Sequence, residues 1–424
     1  MSRQRDRHRR AWLVTAVSAG ALLAAGAVSL PVLADQLDTK QVAYHGYAID
    51  VPDSWRVVNL DEHPNACVRF DSATVYLGTP GERSTCPARV EGRAAAIMVA
   101  PLDTTTAAGA DSATVATTAA RGAKGATSVD GTTRLAVEDA GVMVSAVHSR
   151  STAAQVRAAL NSARLTDGAH AVRLDDVRSA TPRAKADPIV APGTLKDKAF
   201  DTCTAQSQST MDAWRSSPYK AVGIYISGVN RACGQDNLNA DWVAKQHANG
   251  WQFVLTHHGL ESPCSTRYSD VFSKDPATAR QQGKDEAGKA IDAATKLGFG
   301  AGSAIYADIE SYDGDATCTK AVLSFVSGWA EGLKASGWLS GMYSSGSTGI
   351  RDLCDGYGDA AYAMPSHMWF AWWNSKADTD SGSYCEGDKF ADGQRIHQYA
   401  GDVTESYGGV SVNIDRDFLD VKAG

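Results

Sequence analysis

The sequence predicts an α/β protein: a (β/α)8 TIM-like barrel in the C-terminal half, preceded by a small α+β domain and an N-terminal signal segment. Three observations predict it. From Lys198 onward, short apolar strand segments alternate with helical stretches, and eight such strands fit within residues 198–424. Acidic residues stand at the ends of several of those strands. Residues 169–197 mix Pro, Ala and charge without periodicity, which is the composition of a linker between residues 40–168 and the barrel.

In chain order, residues 1–10 carry five arginines (Arg3, Arg5, Arg7, Arg9, Arg10) against Asp6, and residues 11–34 are uncharged and mostly apolar. The run ends Val32-Leu33-Ala34, suited to cleavage after Ala34, so residues 1–34 have the build of a secretory signal peptide. The same run is long enough to serve as an uncleaved N-terminal anchor. Arg9-Arg10 ahead of Ala-Trp-Leu-Val resembles a twin-arginine export signal. Either way, the body is expected outside the cytoplasm, secreted or extracytoplasmic. Net charge is -7, and because the N-terminal head is basic, the remainder is more acidic still. An acidic body without a basic stripe excludes nucleic acid and anionic membrane as expected partners.

Residues 40–168 read as strands with one helix. Tyr44–Pro52 alternates and stops at a proline turn, and further strands are expected at 68–70, 73–77, 95–100 and 142–147. A Thr/Ala/Gly-rich stretch spans roughly 103–127, and Ser151 is placed to cap an amphipathic helix over Ala153–Ala163. The opening Gly46-Tyr47-Ala48-Ile49-Asp50-Val51-Pro52 faintly resembles PsbP/Mog1-like domains. No catalytic constellation stands out here, so presentation or binding is the expected role.

In the barrel, strands are expected at Ala199–Cys203, Ala221–Ser227, Trp251–His258, Ser303–Glu310, Ser340–Ser345, Met368–Trp373, Ile396–Ala400 and Val410–Asp415. Helices are expected at Ser207–Arg215, Ala240–Ala248, Pro276–Leu297 and Lys320–Ala335, with shorter links after the fifth strand. A doubly wound sheet would use the same alternation, but it usually shows a Gly-rich turn after its first strand, and here that turn is Thr202-Cys203-Thr204-Ala205. Gly298-Phe299-Gly300-Ala301-Gly302 lacks the last glycine of a dinucleotide loop and precedes a strand. No GxSxG elbow occurs.

Asp308 and Glu310 are spaced i and i+2, so on an extended strand they share a face roughly 6–7 Å apart. Core packing asks for no such pair, whereas protonating one bond while steadying a developing positive charge does. The competing structural roles are a helix N-cap and an acid paired with a distant Arg. Carboxyl ends of barrel strands share one rim, which would gather Asp201, Asp308, Glu310 and Asp415, with the first and eighth strands adjacent on closure. Like charges so gathered raise one another's pKa values. Tyr225, His257, His258, Tyr306, Tyr343, Trp369, Trp372, Trp373, Gln398, Tyr399 and Asn413 are the aromatic and polar residues expected near them. Rings beside carboxylates suit sugars. The competing role for the Trp cluster is strand packing, and for His257-His258 a hydrogen-bonded strand-end pair whose members face opposite ways. No cofactor is expected, and no metal, the ligand set being unspecific.

The eight cysteines form no C-x-x-C pair and fall in even numbers in each half, two and six, which fits disulfides within domains in an oxidising compartment. Among fifteen pairings for the last six, Cys203–Cys233, Cys264–Cys318 and Cys354–Cys385 is the geometric preference, each pair clipping adjacent loops.

Phe200-Asp201-Thr202-Cys203, Ala221–Gly228, Ala304–Glu310, Gly341–Ser345, His397-Gln398-Tyr399 and Asn413-Ile414-Asp415 together resemble the glycoside-hydrolase-like family catalogued as domain of unknown function 1906, over Phe200 to Leu419. That family is similar in turn to family-25 muramidases, (β/α)-barrel enzymes that cut the glycan of peptidoglycan. The resemblance implies Glu310 as proton donor and Asp308 as the group that orients an N-acetyl or stabilises an oxocarbenium-like state. It also implies Asp201 and Asp415 lining the groove. Muramidase first strands usually continue D-x-S, whereas Asp201 is followed by Thr202-Cys203-Thr204. The expectation is therefore an exported, monomeric glycosidase-like protein acting on a polysaccharide or peptidoglycan-type glycan. The alternatives are a non-catalytic glycan-binding module on the same barrel, or a structural protein with no glycan affinity.

Overall fold

A computed structural model describes residues 38–82, 86–107, 114–116, 131–177 and 187–423. The signal or anchor segment 1–34, most of the stretch 103–127 and the middle of the linker 169–197 lie outside the described residues. Among the described residues no helix is long and apolar enough to cross a membrane.

The N-terminal elements are β1 (Thr39–Tyr44), β2 (Tyr47–Pro52), β3 (Arg56–Asn59), β4 (Thr74–Leu77), β5 (Ala95–Pro101), α1 (Thr104–Ala107), β6 (Thr114–Ala116), β7 (Thr132–Val137), β8 (Val142–His148), α2 (Ala153–Asn161), β9 (Arg164–Leu165) and α3 (Leu174–Val177). They form a three-stranded sheet in the order β1-β2-β9 and a six-stranded sheet in the order β3-β4-β5-β8-β7-β6. The strand expected over Tyr44–Pro52 is instead the end of one hairpin arm and all of the other. His45 and Gly46 turn the chain with φ of 47° and 77°, the left-handed pair that a two-residue hairpin needs. Residues 68–70 make only a bridge, Arg69 to Cys233. The N-cap of α2 is Thr152, one residue after the expected Ser151.

The second half begins with β10 (Leu195–Asp201), α4 (Gln208–Trp214), β11 (Ala221–Ser227), α5 (Ala240–Ala248), β12 (Gln252–His257), α6 (Pro276–Lys296), β13 (Ala304–Asp308) and α7 (Ala316–Ala335). It continues with β14 (Leu339–Ser345), α8 (Arg351–Asp355), β15 (His367–Ala371), β16 (Gln394–Tyr407) and β17 (Val410–Val421). The eight strands β10 to β17 close into a barrel. Successive pairs from β10 to β16 are parallel, but β17 runs antiparallel to both β16 and β10. A regular (β/α)8 pattern is therefore not what closes it. The α-helical crossovers end with the short α8, and a long hairpin supplies the last strand.

Asn239 and Asp315 cap α5 and α7 by accepting from two backbone N–H groups each, and Asp275 caps α6 ahead of Pro276. Between helices and barrel lies an apolar layer that includes Trp214, Trp242, Phe253, Ile305 and Trp329. Inside the barrel, Val254, Tyr306, Tyr343, Trp369, Ile396 and Leu419 pack together. The interior is thus filled below its rim, and chemistry is confined to the rim.

Helices α6 and α7 touch through glycines. A Cβ on Gly328 would stand 1.8 Å from the Arg280 carbonyl oxygen, and one on Gly283 would stand 2.0 Å from that of Phe325. Gly328→Ala is expected to force the helices apart and cost about 1–3 kcal/mol, read from the urea midpoint. Gly288→Ala, on the exposed face of α6 with nothing within 4 Å, is expected to have the opposite sign, stabilising by up to about 1 kcal/mol.

Candidate functional site: a carboxylate cluster at the barrel rim

Asp201 is the last residue of β10, and Asp308 the last of β13. Glu310 follows just past the strand, its backbone N–H donating to both oxygens of Glu261 at 3.1 and 3.2 Å. Asp415 stands opposite Asp201 in the β10–β17 register. It reaches the rim from the first half of an antiparallel strand, which corrects the expectation that it ends a parallel one. The same strand brings in Asp417, which sequence reasoning did not single out. Trp369 Nε1 donates to Asp417 Oδ1 at 2.9 Å. Asp201, Asp308, Asp415 and Asp417 are buried, and Glu310 nearly so.

Hydrogen bonds order one side of the cluster. Gln398 Nε2 donates to Asp201 Oδ2 at 3.0 Å, while Gln398 Oε1 accepts from Tyr343 Oη and Trp373 Nε1, both at 3.1 Å. The Asp402 backbone N–H donates to Asp415 Oδ1 at 2.6 Å. Burial pushes Asp201 up to about 6, against the lowering effect of hydrogen bonds from Gln398 and Asp417. Asp415 and Asp417 are raised well above the usual carboxylate range, by burial first and then by the Asp201 charge.

On the other side, His258 follows β12 and lies between two acids. Its Nε2 is 2.8 Å from Glu261 Oε1, and its Nδ1 is 3.6 Å from Asp308 Oδ2. Burial pulls the imidazole down, but the Asp308 charge and then the Glu261 hydrogen bond and charge outweigh it and hold it at about 9. Burial pushes Asp308 up to about 8, with Glu310 and Glu261 adding to it and His258 opposing. Asp308 and His258 therefore titrate as a pair. His258, Glu261 and Asp308 offer ligand atoms within 4.8 Å of one another and are the residues that could hold a cation. With both ring nitrogens facing carboxylates, the same geometry is that of an imidazolium between two anions.

The largest surprise comes from outside the barrel. Arg89, between β4 and β5, places Nη2 at 2.6 Å from Glu310 Oε2 and 2.7 Å from Glu91 Oε1. Burial raises Glu310, and the Arg89 charge is the leading influence in the other direction. Residues 88–90 roof part of the rim, leaving a void of about 10 Å³ between them, Tyr225, His258 and Glu310. Beside it opens a cleft of about 370 Å³ lined by Arg89, Glu310, Tyr343, Trp372, Trp373 and Tyr384.

Of the residues expected near the acids, Tyr225 lines the closed void, while Tyr343 and Trp372 line the open cleft. Gln398 links Asp201 to Tyr343, and Asn413 Oδ1 accepts from the Ala88 N–H at 2.6 Å. Tyr306 and Trp369 are buried in the barrel filling, Tyr306 Oη bonding His367 Nδ1 at 2.9 Å. These two are packing residues beneath the rim, not surfaces for a ligand. His257 turns the other way. Its ring bonds Ser227 Oγ at 2.7 Å and Glu286 of α6 at 2.8 Å and stacks on Trp329, so it belongs to the helix layer. Strand alternation separates it from His258. Arg89 has no sequence signal, because nothing in residues 86–93 marks them as lying against the barrel; Glu261 sits in the loop after β12 and is equally silent.

A histidine held above its ordinary value binds its proton more tightly in the native state. The stability it lends is complete below pH 6.5 and is lost as pH rises through about 9. Wild type minus His258→Asn stability should therefore shrink between pH 7 and 10, and the His258 ring should titrate by NMR with a midpoint well above 7.

Residues 212–419 match the family model described as Rv2525c-like, glycoside hydrolase-like domain. No curated protein matches the chain. Among solved structures, the chain is similar to an uncharacterized B. stearothermophilus protein at 16% identity, over 53% of this chain and 96% of that one, with a TM-score of 0.38. It is similar to the modular autolysin LytC from Streptococcus pneumoniae at 14% identity, over 52% and 46% of the two chains, with a TM-score of 0.33. It is also similar to a family 25 glycosyl hydrolase from Bacillus anthracis at 13% identity, over 56% and 94%, with a TM-score of 0.31. These structural likenesses are weak, and the geometry of the rim stands without them. Residues 212–419, which carry most of the motifs that resembled a glycoside-hydrolase-like family, are thus similar to the Rv2525c-like, glycoside hydrolase-like domain family.

Proposed function

We propose that this chain is an exported glycoside hydrolase acting on a peptidoglycan-type or other extracellular glycan by carboxylate acid/base chemistry. One observation carries the reading. Asp308 is 1% exposed, and among the described residues neither of its oxygens has a hydrogen-bond partner. A buried carboxyl group without hydrogen bonds, its facing cation His258 3.6 Å away, is costly, so a site that keeps one is built for a group that arrives with a ligand. Glu310, two residues on, would donate the proton to the glycosidic oxygen. Asp308 would orient an N-acetyl group or face the oxocarbenium-like carbon, and Asp201 and Asp415 would shape the subsite and set the pKa values of the cluster. Trp372 and Trp373, bordering the open cleft, suit the apolar faces of sugar rings.

On this reading residues 1–34 are the export signal or anchor, with Arg9-Arg10 marking the twin-arginine route. Residues 40–168 present or bind, residues 169–197 link, and the TIM-like barrel of residues 198–424 acts as a monomer. Four disulfides, Cys67–Cys86, Cys203–Cys233, Cys264–Cys318 and Cys354–Cys385, support an oxidising compartment. The second reading is a glycan-binding module without turnover. It is favoured by the Arg89–Glu310 pair, whose guanidinium sits on the proposed acid and opposes its protonation.

Labelled peptidoglycan separates the two. A hydrolase should release reducing ends, and Glu310→Gln should lose about 10²–10⁴-fold of that rate while still sedimenting with wall. If both forms sediment with wall and neither releases ends, the binding module is the better description. Trp373→Ala is expected to weaken sedimentation in either case.

A further inference from the structure

Residues 86–93 lie between β4 and β5 outside either sheet, anchored at Cys86 to the N-terminal half and fastened to the barrel from Ala88 to Glu91 and at Arg93. Cys86 is tied to Cys67 by a disulfide. Ala88 donates its N–H to Asn413 Oδ1 of β17, and Arg89 pairs with Glu310. Val90 packs with Ala232 against Cys203 and Cys233, whose disulfide joins the loops after β10 and β11. Glu91 pairs with Arg267, in the loop between β12 and α6, at 2.8 Å. Arg93 Nη1 donates to the Arg231 carbonyl at 2.9 Å. The segment therefore crosses the rim from β17 past the ends of β10 and β11.

Its centre is chemically specific. The rim holds Asp201, Glu261, Asp308, Glu310, Asp415 and Asp417, and His258 faces Glu261 and Asp308 from the barrel itself. Arg89 brings a cation from the N-terminal half, at the carboxylate two residues from Asp308, with its guanidinium 5.8 Å from the Trp373 ring centroid. A guanidinium between an acid and an indole occupies the ground that a sugar ring with developing positive charge would need. Its positive charge also opposes the burial that raises Glu310, and so disfavours the protonated form that a general acid must present. The void beneath residues 88–90, about 10 Å³, is too small for a sugar, whereas the neighbouring cleft of about 370 Å³ is open.

We infer that residues 86–93 are an autoinhibitory strap: the N-terminal half keeps the carboxylate rim closed by seating Arg89 on Glu310, and a glycan entering along the Trp372–Trp373 cleft must displace it. Glu91 is the alternative seat for Arg89, already 2.7 Å away, so the guanidinium can leave Glu310 without being stranded. Because the strap is held by side chains and not by a strand ladder, it can open without unfolding either sheet. The inference deepens the proposed function but is tested apart from it.

The test reads access to Glu310 directly. The full chain is treated with a water-soluble carbodiimide and glycine ethyl ester, and amide formation is followed by peptide mass spectrometry, with exposed Glu386 as the internal standard. Wild type should protect Glu310. Arg89→Gln, which removes the charge from the seat, should label it at least about tenfold faster, as loss of a largely buried charge pair would allow. Arg267→Gln, which cuts the exposed latch and leaves Glu91 free to take Arg89, should also speed labelling, and it guards against misfolding of the first variant. Unchanged circular dichroism and an equal Glu386 rate are required of both. Chitin oligosaccharide added to wild type should raise Glu310 labelling if it displaces the strap.

Equal Glu310 labelling in wild type and in both folded variants overturns the strap. Peptidoglycan turnover is measured on the same samples. Faster labelling without release of reducing ends in any form keeps the strap and removes the hydrolase. Release by wild type that neither variant increases, with labelling unchanged, keeps the hydrolase and removes the strap.

Discussion

Buried like charge is the constraint on which the rest of this structure depends. The rim collects acids from β10, β13 and β17 and from the loop after β12, in a place where water cannot screen them. Such a cluster persists only if some members keep their protons, some accept hydrogen bonds and some meet cations. All three occur. Asp415 and Asp417 are raised well above the usual carboxylate range, which favours their protonated forms, Asp201 is bonded by Gln398, and His258 and Arg89 bring positive charge to Asp308 and Glu310. Asp308 is left with the poorest compensation, and it is there that a ligand has most to offer.

The antiparallel last strand follows from the same economy of the rim. Had β17 entered parallel after a helix, only its final residue would have reached the mouth. Running the other way as half of a hairpin, it carries Asn413, Asp415 and Asp417 two residues apart on one face, the last two alongside β10. One strand thus supplies an anchor for the N-terminal half, a partner for Asp201 and an acceptor for Trp369. The barrel loses a helix and gains a denser polar wall.

The two halves of the chain meet at that wall through a mixture of bonds that differ in how easily they are given up. Arg69 and Phe70 make backbone contacts to Cys233 and Ala232, and these resemble a sheet edge. The contacts of residues 86–93 are side-chain pairs, several of them partly exposed, which screening by salt weakens. Docking and closure are therefore separable: the first can hold while the second lets go.

Much of this was legible in the sequence. Alternation of apolar segments located the barrel strands to within a few residues, because strand and helix periods are properties of local chain geometry. The D-x-E motif and Asp201 could be placed at strand ends for the same reason, and cysteine order favoured the pairings found. What failed to show were facts about direction and distance. Hydrophobic alternation is the same for a strand run either way, so it could not reveal that β17 is antiparallel. Nor could it show that His257 faces α6 while Tyr306 and Trp369 fill the barrel. The pairing of Arg89 with Glu310 spans more than two hundred residues of chain, and no local pattern encodes a contact that only the closing of the fold brings about. Sequence by itself determined which elements form and which acids they carry; tertiary structure decided which charges meet, since electrostatic energy depends on separation in space and burial, neither of which is written along the chain.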